Sequence, residues 1–425
     1  MQKAAAEGPY EYSDYNSFSK VRLCFLNLKL TIPWQKWTGT EALALWNTTI
    51  FDPDPYEGVK AMLEEALREQ SSAMQPDQEQ GNAEFGQIPI LAKKTTDLLS
   101  GIFTALEFMH RKESKYRDDF RMTLVREQKR KPKGPAEGKN GWVGRGDKGN
   151  IVNTITLNFA CLNPAVSFDD LKAEVRAIVL TSGTLSPMAT FASELDVRFP
   201  ISLEAQHVVD KSQVWVASLG KGPNKYSLNA AYRNASTLQF QDEVGEMVIE
   251  VCKKVQFGVL VFLPSYKMLN TLVERWQSNG MWKRLFDIKH IITEPKFNDQ
   301  LASVMKEFYD VVEETTRSPT GLTSFGQTGA IFFAVCRGKV SEGLDFADNN
   351  ARAVICVGIP FPNVKDMLVD LKKKYNDQKK AEGMHGMLSG SDWYQIQAFR
   401  ALNQALGRCI RHKDDWGAIL MVDDR

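Results

Sequence analysis

The sequence predicts an α/β protein whose main body is one largely parallel sheet covered by helices. Three observations predict it. Seven short apolar runs recur after residue 175, helix-length segments separate several of them, and the residues best suited to chemistry fall where runs end. Strands alternating with helices of that length form parallel sheets covered on both faces. Such sheets bind ligands beyond the carboxyl ends of their strands.

At 425 residues the chain is too long for one ordinary core and implies two or three domains. Apolar residues make up 43% and charged residues 25%, as in a globular protein. Lysine plus arginine number 53 against 52 acidic residues, so net charge does not argue for nucleic acid or membrane, and any basic surface must be local. The six cysteines, Cys24, Cys161, Cys252, Cys336, Cys356 and Cys409, include no CxxC pair, which disfavours a disulfide scaffold or a sequence-local zinc site. No apolar run reaches 18 residues, and the first 16 residues lack the apolar centre of a secretory signal. The basic runs are compatible with a nuclear address.

Residues 1–90 carry no assignable domain and read as partly disordered. Within them, 21–32 alternates apolar and polar, Val59, Met62, Leu63 and Leu67 space a helix over 57–69, and 71–86 is a polar loop. Residues 92–125 read as helical, with Leu98, Ile102, Leu106 and Met109 on one stripe. The stretch 129–148 holds seven basic and two acidic residues, five glycines and two prolines. It reads as a flexible basic linker, either a solvated loop or a contact to a nucleic-acid backbone. The main domain then spans 151–425. Strands are expected at 177–180, 214–217, 258–263, 290–292, 331–335, 353–357 and 417–422, and helices at 242–256, 266–279, 301–314 and 393–410.

Four segments carry the chemistry. After the first run comes Thr181-Ser182-Gly183-Thr184-Leu185-Ser186-Pro187, whose hydroxyls can cap a helix or bind phosphate. Pro264-Ser265-Tyr266-Lys267 offers a cap, an aromatic face and a cation suited to a nucleic-acid backbone. In Cys336-Arg337-Gly338-Lys339-Val340-Ser341-Glu342-Gly343-Leu344-Asp345-Phe346, two glycines allow tight turns beside cations and carboxylates. Last, Gln404 lies four residues before Arg408, and Arg408 and Arg411, three apart on an expected helix, share a face. Their planar forks match phosphate oxygens.

Together these segments, with Cys161–Asp170, Ser212–Pro223, Arg337–Asp366 and Trp393–Arg425, resemble the XPD-type superfamily 2 DNA helicases, most closely the Fanconi anaemia J branch. The similarity spans roughly residues 90–425. It implies a RecA-like P-loop NTPase-type fold, the second helicase domain, over 151–425. Residues 91–150 would then be a remnant of the helical Arch region plus the basic linker.

The resemblance implies roles residue by residue. Arg408 and Arg411 would stabilise transferring phosphate, with Gln404 sensing the nucleotide. Gly343 and Asp345 would lie on the nucleotide side. Ser182, Thr184, Ser265, Tyr266, Lys267, Arg337, Lys339 and Glu342 would face DNA. The implied activity is ATP-dependent 5′–3′ unwinding of single-stranded or forked DNA in repair, alongside repair proteins, in the nucleus and away from membranes. ATP and Mg2+ would serve the complete enzyme. The sequence departs from the family pattern: it has no GxxxxGK[ST] phosphate loop, no DEAH magnesium motif and no four clustered cysteines for the family's 4Fe-4S centre. It reads as the second motor half of a helicase, without metal ligands of its own. The alternative is a noncatalytic DNA- or protein-binding fragment of such a motor.

Overall fold

The computed structural model describes residues 34–49, isolated positions between 58 and 68, and residues 93–130, 151–183, 185–204, 209–384 and 386–425. The run 21–32, the loop 71–86, most of the basic stretch and Thr184 lie outside them. Two compact units divide between Arg176 and Ala177, so residues 151–176 group with the first unit instead of heading the second.

The first unit comprises β1 (Trp34–Thr38), α1 (Gly39–Thr49), α2 (Lys93–Ser114), β2 (Phe120–Arg130), β3 (Ile151–Cys161) and α3 (Ala165–Glu174). The three strands form an antiparallel sheet in the order β1-β2-β3. The helix expected through Val125 therefore stops at Ser114. Phe120, Met122 and Leu124, apolar at every second position as in a strand, are buried, and so is Thr123 between the last two. The buried stripe of α2 is Leu99, Ile102, Phe103, Leu106 and Met109, whereas Leu98 is 56% exposed. Asp169 of α3 accepts from Lys112, Tyr116 and Lys172, and these bonds hold its carboxyl well below the usual carboxylate range.

The second unit contains α4 (Met188–Leu195), β4 (Val214–Leu219), α5 (Leu238–Lys254), β5 (Val259–Leu263), α6 (Tyr266–Ser278), α7 (Met281–Phe286), β6 (His290–Thr293), α8 (Leu301–Arg317), β7 (Ala330–Val335), α9 (Lys339–Gly343), β8 (Ala353–Val357), α10 (Met367–Ala381), α11 (Gly390–Leu406) and β9 (Gly417–Val422). Its six strands are all parallel, in the order β4-β9-β8-β5-β7-β6. Every residue of β5 and β8 is buried, which explains their unbroken apolar sequence. Val259, Val261, Ile331, Phe333 and Ile355 pack on one face with Val244 and Val248 of α5 and Leu269 and Trp276 of α6. Leu260, Phe262, Phe332 and Val354 turn to the other face, against Met305 and Phe308 of α8, Ala405 of α11 and Cys409. Alternate residues thus serve two cores.

Ala177–Leu180 is not a strand. Val179 is 86% exposed, and the sheet ends at β4 and β6 without it. A four-residue apolar run becomes a strand only where a neighbour meets its backbone donors and acceptors, and this run joins no ladder. At the opening edge of the sheet, fully buried Lys289 donates to Phe257 O at 2.8 Å and Thr328 O at 2.9 Å. Burial pushes its ammonium down to about 8.

Candidate functional site

Because the strands are parallel, their carboxyl ends share one edge. β5 ends at Leu263, and Ser265 caps α6 by accepting the Met268 N–H at 3.2 Å. A hydroxyl at this position satisfies an amide that the first helical turn leaves open. Burial, with the nearby Glu294 charge and hydrogen bond, pushes the Tyr266 hydroxyl up to about 12. Lys267 follows, its Nζ 5.2 Å from the centroid of the Tyr232 ring.

Glu294, directly after β6, joins this segment to the end of β7. It is 4% exposed, and its Oε2 accepts the Val335 N–H at 2.7 Å. Sequence reasoning passed over it; the available signal was a carboxylate immediately following an apolar run. Gly338 packs so tightly here that a Cβ would lie 2.6 Å from Glu294 Oε1 and 2.7 Å from Val335 O. Arg337 adopts a left-handed conformation, φ 61°, and its Nη2 donates to Gln397 O of α11 at 2.8 Å. Lys339 opens α9, and Glu342 and Gly343 close it. Ser341, fully buried, anchors this short helix by donating to Gly338 O at 2.7 Å.

The expected common helical face for the two arginines is not what the fold uses. α11 ends at Leu406, where the Gly407 N–H closes the last turn on Asn403 O at 2.9 Å. Gln404 sits in that last turn, and Arg408 lies beyond it. The chain must turn here because Cys409 is fully buried in the core and Asp415 captures the Arg411 N–H at 3.0 Å. Both guanidiniums nevertheless converge on α9 and the residues just after it. Arg408 donates to Ser341 O through Nε (3.1 Å) and Nη2 (2.5 Å), and to Leu344 O through Nη1 (2.5 Å). Arg411 donates to Leu344 O at 3.1 Å and pairs with Asp345 Oδ1 at 2.9 Å.

Asp415 is itself fixed by Arg352 at 2.8 Å, a buried pair joining the starts of β8 and β9, with the Arg352 guanidinium 4.4 Å over the Trp416 ring. Asp348, His412 and Asp415 offer ligand atoms within 4.8 Å of one another. The Arg352 guanidinium on Asp415 already supplies a cation there, so this group is ill suited to a metal.

Ser182 lies on an exposed segment rather than at a strand end, and the hydroxyls before α4 do not cap it: its N-cap is Pro187, with no side-chain bond. α4 docks on α11 through Arg400, which stacks 4.1 Å over Phe191 and bonds Thr190. The four buried cysteines do not fit an iron–sulfur centre. Cys252, Cys336, Cys356 and Cys409 sit in the two cores, and burial raises their thiols, opposite to the thiolate a metal requires.

A family profile for the helicase C-terminal domain matches residues 248–425, from within α5 through β9. Over 402 residues, 92% of the chain, the sequence is 45% identical to the Fanconi anemia group J protein homolog of Gallus gallus. The chain belongs to the Fanconi anemia group J helicase superfamily. It carries the C-terminal helicase-domain region, and the parallel sheet is that region's α/β core. The regulator of telomere elongation helicase 1 homolog of Drosophila ananassae is 40% identical over 78% of the chain. The chain spans 30% and 32% of the length of these two relatives. A solved XPD helicase aligns over 96% of this chain and 64% of its own, at 14% identity and a TM-score of 0.45.

Proposed function

We propose that this helicase region is the second motor domain of an ATP-dependent 5′–3′ DNA helicase acting in DNA repair in the nucleus. The observation that carries the reading is the convergence of Arg408 and Arg411 on the Ser341–Asp345 segment. Carbonyl and carboxylate oxygens occupy the two forks, and phosphate oxygens are acceptors of the same kind. During phosphoryl transfer, charge spreads over the equatorial oxygens of the transferring phosphoryl group, and preorganised guanidiniums stabilise it. The phosphate-loop lysine and magnesium carboxylates come from another RecA-like domain, since no such motif occurs in this sequence.

α9 links the two tasks. Its first residues adjoin Arg337 and Gly338 at the sheet edge, and the residues at and just after its end hold the arginines. A shift of Arg408 or Arg411 onto a nucleotide therefore acts on the same short helix that presents Arg337 and Lys339. With Ser265, Tyr266 and Lys267, these residues hold single-stranded or forked DNA through its backbone, which makes movement independent of base sequence. Repair proteins are the fitting partners. No helix among the described residues is long and apolar enough to cross a membrane.

Fluorescence anisotropy with labelled oligothymidylate tests the DNA contacts. Each neutralised phosphate contributes about −0.7 to the log–log salt slope for single strands. Replacing Arg337, Lys339 and Lys267 together by alanine should weaken binding and flatten that slope. Salt-independent binding, or binding indifferent to the triple replacement, contradicts the reading.

A further inference from the structure

The loop between β4 and α5 opens at the same sheet edge. Between Asp210 and Asp242 the chain carries four cations, Lys211, Lys221, Lys225 and Arg233, and no carboxylate. The loop has a fixed frame. The Gly222 N–H donates to Tyr226 O at 3.0 Å and the Leu228 N–H to Gly220 O at 2.9 Å, closing a small hairpin. Asn224 donates to buried Glu243 through its backbone N–H (2.7 Å) and its Nδ2 (2.9 Å). The Ser227 hydroxyl donates to Asp424 at 2.6 Å, and Leu228 is fully buried in the core.

On this frame Tyr232 is 80% exposed and Tyr226 50% exposed. Lys267, one of the proposed DNA contacts, lies with its Nζ 5.2 Å from the Tyr232 ring centroid and 3.5 Å from its hydroxyl. An aromatic ring braced by a cation, on a loop whose own residues include cations and no carboxylate, has the composition of a single-strand platform. Bases stack on the ring while the adjoining phosphate meets the cation. A protein partner's apolar anchor would need a dry pocket, and a ring this exposed does not provide one.

We propose that Tyr232 is a stacking platform for one base of single-stranded nucleic acid, with Lys267 holding the neighbouring phosphate. The proposal rests on the DNA reading of this sheet edge and adds base contact to its backbone contacts. Stacking on one aromatic is worth about 1–3 kcal/mol by alanine substitution. At about 1.4 kcal/mol per tenfold, Tyr232→Ala should weaken oligothymidylate binding roughly 5- to 150-fold, whereas Tyr232→Phe and Tyr232→Trp should retain it.

Anisotropy on the full chain, with oligothymidylate and an abasic strand of equal length, separates stacking from charge. The wild-type chain should bind the abasic strand more weakly, and the alanine variant should match it there. The salt slope should survive Tyr232→Ala and shrink by about 0.7 in Lys267→Ala. If Tyr232→Ala binds oligothymidylate like wild type, or loses the same factor as wild type on the abasic strand, the platform is wrong. The DNA reading still stands in that case if the Arg337→Ala/Lys339→Ala double variant weakens binding. A wild-type chain that binds neither strand overturns both.

Discussion

Arg408 and Arg411 donate to the same atom, the carbonyl oxygen of Leu344, at 2.5 Å and 3.1 Å. Two guanidiniums on one acceptor place their charges side by side just after α9, although the helix that leads to them ends at Leu406. Arg408→Ala removes three charge-assisted bonds from a half-buried site. Such bonds contribute about 1.5–3 kcal/mol each when buried. Water replaces part of that here, so the net loss should be about 1–2 kcal/mol, read as a lower urea midpoint. Arg408→Lys, a point donor that cannot fork, should fall between. Unchanged stability in Arg408→Ala would mean that the carbonyl contacts contribute nothing in solution.

The Arg352–Asp415 pair is the more costly one to break. Asp415 has no exposure, Arg352 5%, and Asp415 also accepts the Arg411 and Trp416 N–H groups. Removing one partner of a buried pair costs about 3–5 kcal/mol, because the other charge is stranded. Asp415→Ala should lose that much in denaturant unfolding. The double variant Arg352→Ala/Asp415→Ala should lose less than the sum of the two single changes. Simple additivity would show the pair to be uncoupled.

Gly338→Ala tests the junction between the two proposed DNA-facing segments. Its Cβ would meet Glu294 Oε1 at 2.6 Å and Val335 O at 2.7 Å. Overpacking of this kind costs about 1–3 kcal/mol. Glu294→Ala should not rescue it, since the backbone carbonyl remains in the way. Full rescue would assign the constraint to the Glu294 side chain alone.

Lys289 gives the fold a pH signature. Its folded value of about 8 lies below the ordinary 10.5. Between those values the unfolded chain binds a proton that the folded chain has released, so stability rises with pH. Below about 8 both states are charged, and above 10.5 both are neutral. Relative to Lys289→Met, the wild-type chain should therefore gain stability as pH rises through this window, measured by urea unfolding. Parallel pH profiles for the two proteins would contradict the shift.

Six of the seven expected strands are present, because buried parallel strands write themselves as apolar runs, as Val259–Leu263 and Ala353–Val357 do. The seventh, 177–180, shows the limit of that signal: four apolar residues look alike with and without a ladder partner. β2 was hidden for a related reason. Its alternation begins six residues after a true helix ends, and the helical period was carried across the turn. The arginine motif was legible as chemistry but not as geometry, since the end of α11 depends on Cys409 reaching the core and Asp415 capturing Arg411. Glu294 and Tyr232 were illegible for a third reason. Each matters through a neighbour 41 or 35 residues away in sequence, which only the sheet brings near.

DNA-stimulated phosphate release tests the central claim most directly, comparing the purified 425-residue chain with the same chain joined to a phosphate-loop-bearing RecA-like domain of a group J relative. The chain alone lacks the phosphate cradle and magnesium carboxylates and should release no phosphate above background. The joined protein should hydrolyse ATP when single-stranded DNA is added, and Arg408→Ala or Arg411→Ala should abolish that activity while Arg317→Ala, outside the site, leaves it intact. DNA-stimulated hydrolysis by the chain alone, or by the joined protein carrying Arg408→Ala, would contradict the assignment of these arginines to the transferring phosphate.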